Sequence, residues 1–121
     1  MSNKKTLVLG ASENPARYSN MALKKLRAYG HGVVAVGRRE GQVDDVTIHK
    51  ATPESNDIHT VTMYMNATNQ KEYEAYILSL KPQRIIFNPG AENNELAEKA
   101  AAQGIETMEA CTLVLLSTGQ Y

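Results

Sequence analysis

The stretch Leu7-Val8-Leu9-Gly10-Ala11-Ser12-Glu13-Asn14-Pro15-Ala16-Arg17-Tyr18-Ser19 decides the fold. Its first three residues form a short apolar run closed by Gly10, the pattern of a buried strand. A polar, proline-containing segment runs from Ala11 to Ser19. Ala22, Leu23, Leu26 and Tyr29 then recur at helical spacing, with Lys24, Lys25 and Arg27 on the other face. Gly30 stands where a left-handed residue ends a helix. Val33-Val34-Ala35-Val36, stopped by Gly37, gives the next strand. Strand, loop, helix and strand in this order make a βαβ unit.

The same grammar repeats outward from this unit. Thr60 to Met65 is a β-branched, apolar run and predicts a third strand. Tyr73, Tyr76, Ile77 and Leu80 form a helical stripe that Pro82 stops, and Ile85-Ile86-Phe87 gives a fourth strand, ended by Asn88-Pro89-Gly90. Leu96, Ala97, Ala100 and Ala101 give a helix closed by Gly104, Ile105 to Met108 a fifth strand, and Leu113 to Leu116 either a closing helix, the favoured reading, or a strand. Between Arg38 and His59 the pattern is weak. Val46-Thr47-Ile48 reads as a short edge strand, and Thr52-Pro53 suits a helix cap with proline at the first helical position. Strands alternating with helices predict a parallel sheet covered on both faces. With right-handed crossovers this is a Rossmann-like, doubly wound, five-stranded sheet in the order 3-2-1-4-5, and residues 1–121 are expected to form one domain.

Composition bounds the function. The chain has 121 residues, of which 42% are hydrophobic and 21% charged, enough for a core without covalent staples. Thirteen basic and thirteen acidic residues cancel, so no global field draws the chain to nucleic acid or anionic lipid. One cysteine, Cys111, rules out an intramolecular disulfide and suits a reducing compartment. No stretch has the length of a signal-peptide core or a membrane span, so a cytoplasmic location is expected.

In doubly wound sheets ligands bind beyond the carboxyl ends of the strands, where the strand order reverses. Four loops qualify. In the first, small residues after the strand let backbone approach a diphosphate, and free N–H groups and the helix start hold its charge. Ser12 and Ser19 add hydroxyls and Arg17 a guanidinium. The plainer alternative is a strand-to-helix turn capped by Ser19 or Asn20. The second loop, Gly37-Arg38-Arg39-Glu40-Gly41, has two arginines and no acid directly after the strand. That disfavours NAD, whose free ribose hydroxyl takes an acid, and favours a phosphorylated ribose, as in NADP or coenzyme A. Two solvated loop arginines are the alternative. The third loop brings Tyr64, Met65 and Asn66, for an adenine or pantetheine arm or simply for packing, with Thr68 or Asn69 as helix cap or ligand contact. The fourth, Asn88-Pro89-Gly90, turns beside the first loop if the order is 3-2-1-4-5.

Catalytic signals are thin. Gly10-Ala11-Ser12 begins like a nucleophile elbow, but Asn14 stands where its second glycine belongs. His31, His49 and His59 are scattered without metal-ligand spacing and read as surface or loop residues. Cys111 reads either as a small buried apolar residue or as a thiol beside a helix start, close to a ligand thiol.

The run Val8-Leu9-Gly10-Ala11-Ser12, with Asn14-Pro15, Arg17-Tyr18-Ser19-Asn20 and the strand-ending Val36, resembles the small stand-alone CoA-binding domain proteins. These are Rossmann-like relatives of the nucleotide-binding domain in the succinyl-CoA synthetase α subunit. The resemblance covers nearly the whole chain. It implies ligand contacts from Gly10, Ala11, Ser12, Arg17, Tyr18 and the loop beginning at Gly37, and it matches Cys111 to a late cysteine of such domains. Relatives often carry Asn-Pro where this chain has Gly37-Arg38-Arg39, and Gln-x-Gly where it has Asn88-Pro89-Gly90. The stand-alone domains lack the synthetase's catalytic histidine domain, so the resemblance implies binding of CoA or an acyl-CoA, not ligase chemistry. Two other readings stay open: an NADP-binding oxidoreductase or reductase subunit, and a degenerate Rossmann scaffold for protein–protein interaction. The sequence leaves a homodimer or an unidentified protein partner undecided.

Overall fold

The structure, a computed structural model, describes residues 3–121; Met1 and Ser2, the start of the expected domain, lie outside the described residues. Strand β1 (Thr6–Leu9) is fully buried and leads through the first loop into helix α1 (Tyr18–Ala28) and strand β2 (Val33–Val36). Strands β3 (Gly41–Val43) and β4 (Val46–His49) form a hairpin turned by Asp44 and Asp45, with Asp44 at φ 51°. Strand β5 (Thr60–Met63) is followed by α2 (Ala67–Gln70), a single 3-10 turn (Lys71–Tyr73) and α3 (Glu74–Ser79). Strand β6 (Arg84–Phe87), α4 (Asn94–Ala102), β7 (Glu106–Glu109) and α5 (Thr112–Ser117) complete the chain.

All strands belong to one sheet, ordered β3-β4-β2-β1-β5-β6-β7, in which only the β3–β4 pairing is antiparallel. The fold is the expected α/β, Rossmann-like one, but two details of the expectation are corrected. The sheet has seven strands, not five, and the order 3-2-1-4-5 does not hold. The Val46 strand takes the place beside β2, and the Thr60 strand lies against β1 from Thr6↔Thr60 to Leu9↔Met63. The cause is the short β3–β4 hairpin. It meets β2 through only Ala35↔Ile48 and Val36↔His49, too brief a stretch to assert itself in periodicity. With β4 in that position the chain recrosses to the far side of β1, and the order reverses between β1 and β5.

Successive side chains of a strand face opposite ways, and the core divides accordingly. Leu7 and Leu9 join Val61, Met63, Ile77, Phe87 and Leu96 on one face. Val8 joins Leu23, Leu26, Ile48, Ile86 and Leu116 on the other. Each fully buried leucine or isoleucine of this kind contributes about 1.5–3 kcal/mol by leaving water.

Three smaller expectations also change. No helix follows Thr52-Pro53; that segment is an irregular crossover from β4 to β5, and the Tyr76 hydroxyl donates to the Pro53 carbonyl at 2.6 Å. Helix α1 begins earlier than Ser19 or Asn20: Arg17 is its N-cap residue, and both polar residues lie buried in the first turn. Of the two readings of His31, surface or loop, the loop holds, but the side chain is buried there. It is 8% exposed and its Nδ1 accepts the Lys4 backbone N–H at 3.0 Å. The closing segment is helical, as expected.

Candidate functional site

The reversal of strand order between β1 and β5 parts the loops at the carboxyl ends of the strands and opens a crevice of about 800 Å³. That is toward the upper end of small-molecule sites. Its floor is the first loop. Gly10 holds φ 93°, and a side chain there would press within 3.1 Å of the Tyr64 backbone. Glycine alone accommodates both demands cheaply. The Ser12 hydroxyl accepts the Asn14 N–H at 3.1 Å and the Asn14 carboxamide accepts the Ala16 N–H at 3.0 Å, so the loop is braced by its own side chains. Buried Asn20 reaches up from α1 and donates to the Ser12 carbonyl at 2.9 Å. The Ser12 hydroxyl donates to no acceptor among the described residues, and Ser12 lines the crevice. Among the described residues the N–H groups of Ser12, Tyr18 and Ser19 have no acceptor, as expected where a helix begins.

Gly10, Ala11, Ser12, Asn14, Arg17, Tyr18 and Ser19 all line the crevice. Arg38 and Arg39 line it from the β2 side, and Tyr64, Met65 and Asn66 from the β5 side. Gly37 lies beneath the wall instead. It is buried, and a Cβ there would collide with the Ala11 carbonyl oxygen. Arg17, Arg38 and Arg39 are exposed, and none makes an ion pair among the described residues. Three uncommitted guanidinium groups and several uncommitted N–H groups thus face one cavity. This arrangement suits an anion bearing more than one phosphate.

The β6 loop contributes less than expected. Because β5 separates β6 from β1, only Pro89 reaches the crevice; Asn88 and Gly90 do not line it. Asn88 is a buried strut whose amide donates to Thr62 Oγ1 at 2.8 Å and the Met63 carbonyl at 3.0 Å. Its Oδ1 accepts the Thr112 N–H at 2.8 Å. Asn66 serves as the N-cap of α2, accepting the Asn69 N–H at 2.9 Å, so the cap is neither Thr68 nor Asn69. Cys111 is half-buried at the start of α5 and outside the crevice lining. Burial, and after it the neighbouring Cys111, push the Tyr64 phenol well above its ordinary value.

Asn69, expected as a helix cap or a ligand contact, lines the cavity, and so do three residues beyond the expected set: Glu13, Glu72 and Tyr73. Burial and then Glu72 raise the Tyr73 phenol, while Arg38, which also lines the crevice, pulls the other way. The wall carrying Asn69, Glu72 and Tyr73 is anchored by Gln70, which is fully buried. Its amide donates to the Met65 and Ala91 carbonyls, both at 2.7 Å, and it accepts from Asn93 at 2.9 Å. Nothing in the local pattern distinguishes Gln70 from a solvated helix residue.

The sheet order and the crevice define a Rossmann-like α/β protein with its crevice at the reversal point, where such sheets bind ligands. The CoA binding domain model matches residues 4–117, and the chain belongs to that family. A crystal structure of an uncharacterised protein is 46% identical over 100% of both chains and superposes with a TM-score of 0.96. A hypothetical protein from Pyrococcus horikoshii is 21% identical over 96% of this chain and 83% of its own, with a TM-score of 0.86. A protein from Thermus thermophilus is 19% identical over 98% and 91%, with a TM-score of 0.82. The last two likenesses show the fold alone. No curated protein matches the chain. No helix among the described residues is long and apolar enough to cross a membrane, and no cluster of His, Cys, Asp and Glu among them could hold a metal ion.

Proposed function

We propose that the protein binds coenzyme A or an acyl-CoA in the crevice between β1 and β5, as a binding module of residues 1–121 without catalysis of its own. The observation that carries this reading is the convergence of Arg17, Arg38 and Arg39 with the free N–H groups of the first loop and α1. The diphosphate sits on Gly10-Ala11-Ser12 and the helix start, where N–H donors and the helix dipole favour negative charge. Arg38 and Arg39 take the ribose phosphate. Tyr64, Met65 and Tyr73 offer apolar and aromatic surface to the adenine or the pantetheine arm. Membership of the CoA binding domain family supports the ligand class.

NADP is the second reading, favoured by the same two arginines, since it too carries a phosphorylated ribose. Calorimetric titration with CoA, 3′-dephospho-CoA, NADP and NAD separates the readings. CoA binding that weakens without the 3′-phosphate is the expected result. NADP binding without CoA binding hands the site to a redox partner, and silence for all four ligands leaves only a scaffold.

A further inference from the structure

Glu13 is the only acid in the first loop, and it lines a crevice rich in arginine. A free carboxylate there would oppose a phosphate. Its charge is engaged elsewhere: Oε2 accepts the backbone N–H of Gln42 at 2.9 Å, and Glu13 forms no ion pair among the described residues. The side chain lies against bare backbone. A Cβ on Gly41 would stand 2.5 Å from Glu13 Cδ and 2.7 Å from Cγ. At the other end of the same turn, Gly37 is pressed on the Ala11 carbonyl.

The turn carrying Arg38 and Arg39 is therefore fastened to the first loop at both ends. The second fastening is the vulnerable one, because β3 is the outermost strand and pairs with β4 through only three residues. A charge-assisted hydrogen bond is the strong kind for such a task. We infer that Glu13 is a positioning residue: through Gln42 and the gap left by Gly41 it sets where Arg38 and Arg39 stand over the first loop, and so determines selection for the 3′-phosphate. This rests on the CoA reading above.

The test is the ratio of dissociation constants for 3′-dephospho-CoA and CoA in wild type, Glu13→Ala, Glu13→Gln and Gly41→Ala, with exchange of the Gln42 amide followed alongside. Wild type should favour CoA by about tenfold, the scale of one charged hydrogen bond. Glu13→Ala and Gly41→Ala, which cut the strap from opposite sides, should lose most of that preference. Gly41 stands outside the crevice lining, so Gly41→Ala should leave dephospho-CoA within roughly twofold, and both variants should keep the thermal midpoint near wild type, as for other surface changes. Glu13→Gln keeps an acceptor for Gln42 and should retain the preference. An unchanged ratio in Glu13→Ala, or a loss in Glu13→Gln as complete as in Glu13→Ala, overturns the assignment. Wild type that binds neither ligand overturns the CoA reading itself, and that is seen before any variant is made.

Discussion

The two ends of the sheet treat their cations in opposite ways. At the amino ends of the strands Arg84 is 7% exposed and fully employed. It donates to Thr60 Oγ1 at 2.8 Å and to the Tyr121 main-chain oxygen at 3.2 Å, and lies 4.4 Å from the Tyr121 ring centroid. His31 packs on the same ring at 5.1 Å, and Lys4 Nζ donates to the Tyr121 oxygen. The Tyr121 hydroxyl meets Thr6 Oγ1. At the carboxyl ends Arg17, Arg38 and Arg39 are exposed and unpaired among the described residues. Burying a polar group without a partner is costly, and at the amino end the buried groups around Tyr121 have partners. The carboxyl end keeps its donors in water, available to a ligand. One end is built for stability and the other is the proposed binding end, and substitutions should separate the two.

Arg84→Ala should produce the largest loss of stability, about 2–3 kcal/mol, because it strips Thr60 and Tyr121 of a buried partner. Denaturant unfolding measures it, and the folded fraction should bind CoA as wild type does. Arg38→Ala with Arg39→Ala should do the reverse. Stability stays within about 0.5 kcal/mol, while CoA affinity falls about tenfold or more, as expected for lost charged hydrogen bonds. If the double variant unfolded more easily than Arg84→Ala, the contrast between the ends would be wrong.

A smaller effect follows from acid. Burial first, and then Lys4 and Arg84, hold His31 below its ordinary value of 6.5; burial, Arg84 and Lys4 do the same to His59, against a lesser upward pull from Glu106. The unfolded chain therefore takes up these protons at higher pH than the folded one. Stability from the neutral imidazoles is complete above pH 6.5 and declines as pH falls toward the depressed folded values. Thermal midpoints from pH 7.5 to 5 should fall in wild type and less steeply in His31→Gln; parallel curves would remove His31 from the cause. The smallest effect belongs to Tyr64→Phe. The buried Tyr64 hydroxyl makes no well-formed hydrogen bond among the described residues, although the Thr62 and Thr112 hydroxyls lie close enough to pull its phenol back toward the ordinary value. Its removal should leave stability unchanged or raised by a few tenths of a kcal/mol, roughly, with CoA binding within about twofold since the ring stays. Destabilisation would mean that the hydroxyl is partnered after all.

The carboxyl end was largely legible because its signals are local. Gly10 before a polar turn, Arg17 at a helix start and two arginines after a strand each declare themselves within a few residues. Their joint placement on one crevice follows from the position of β1 at the centre of the sheet. What failed to show were features made by distant pairings. The β3–β4 hairpin is too short for its alternation to stand out, and its insertion beside β2 displaced the Thr60 strand from its expected place. Asn88 has the composition of a ligand residue, yet its side chain holds Thr62 and Thr112. The burial of His31 within its loop did not show because nothing near it in sequence reveals Tyr121, ninety residues away, packed on its ring.

The most direct test of the account is an amide correlation spectrum of the protein titrated with CoA. The account expects the largest changes at the N–H groups of Ser12, Tyr18 and Ser19 and through Gly37–Arg39, with Lys4, His31, Arg84 and Tyr121 still. Changes centred on that second group, or none at either end at millimolar CoA, would contradict it.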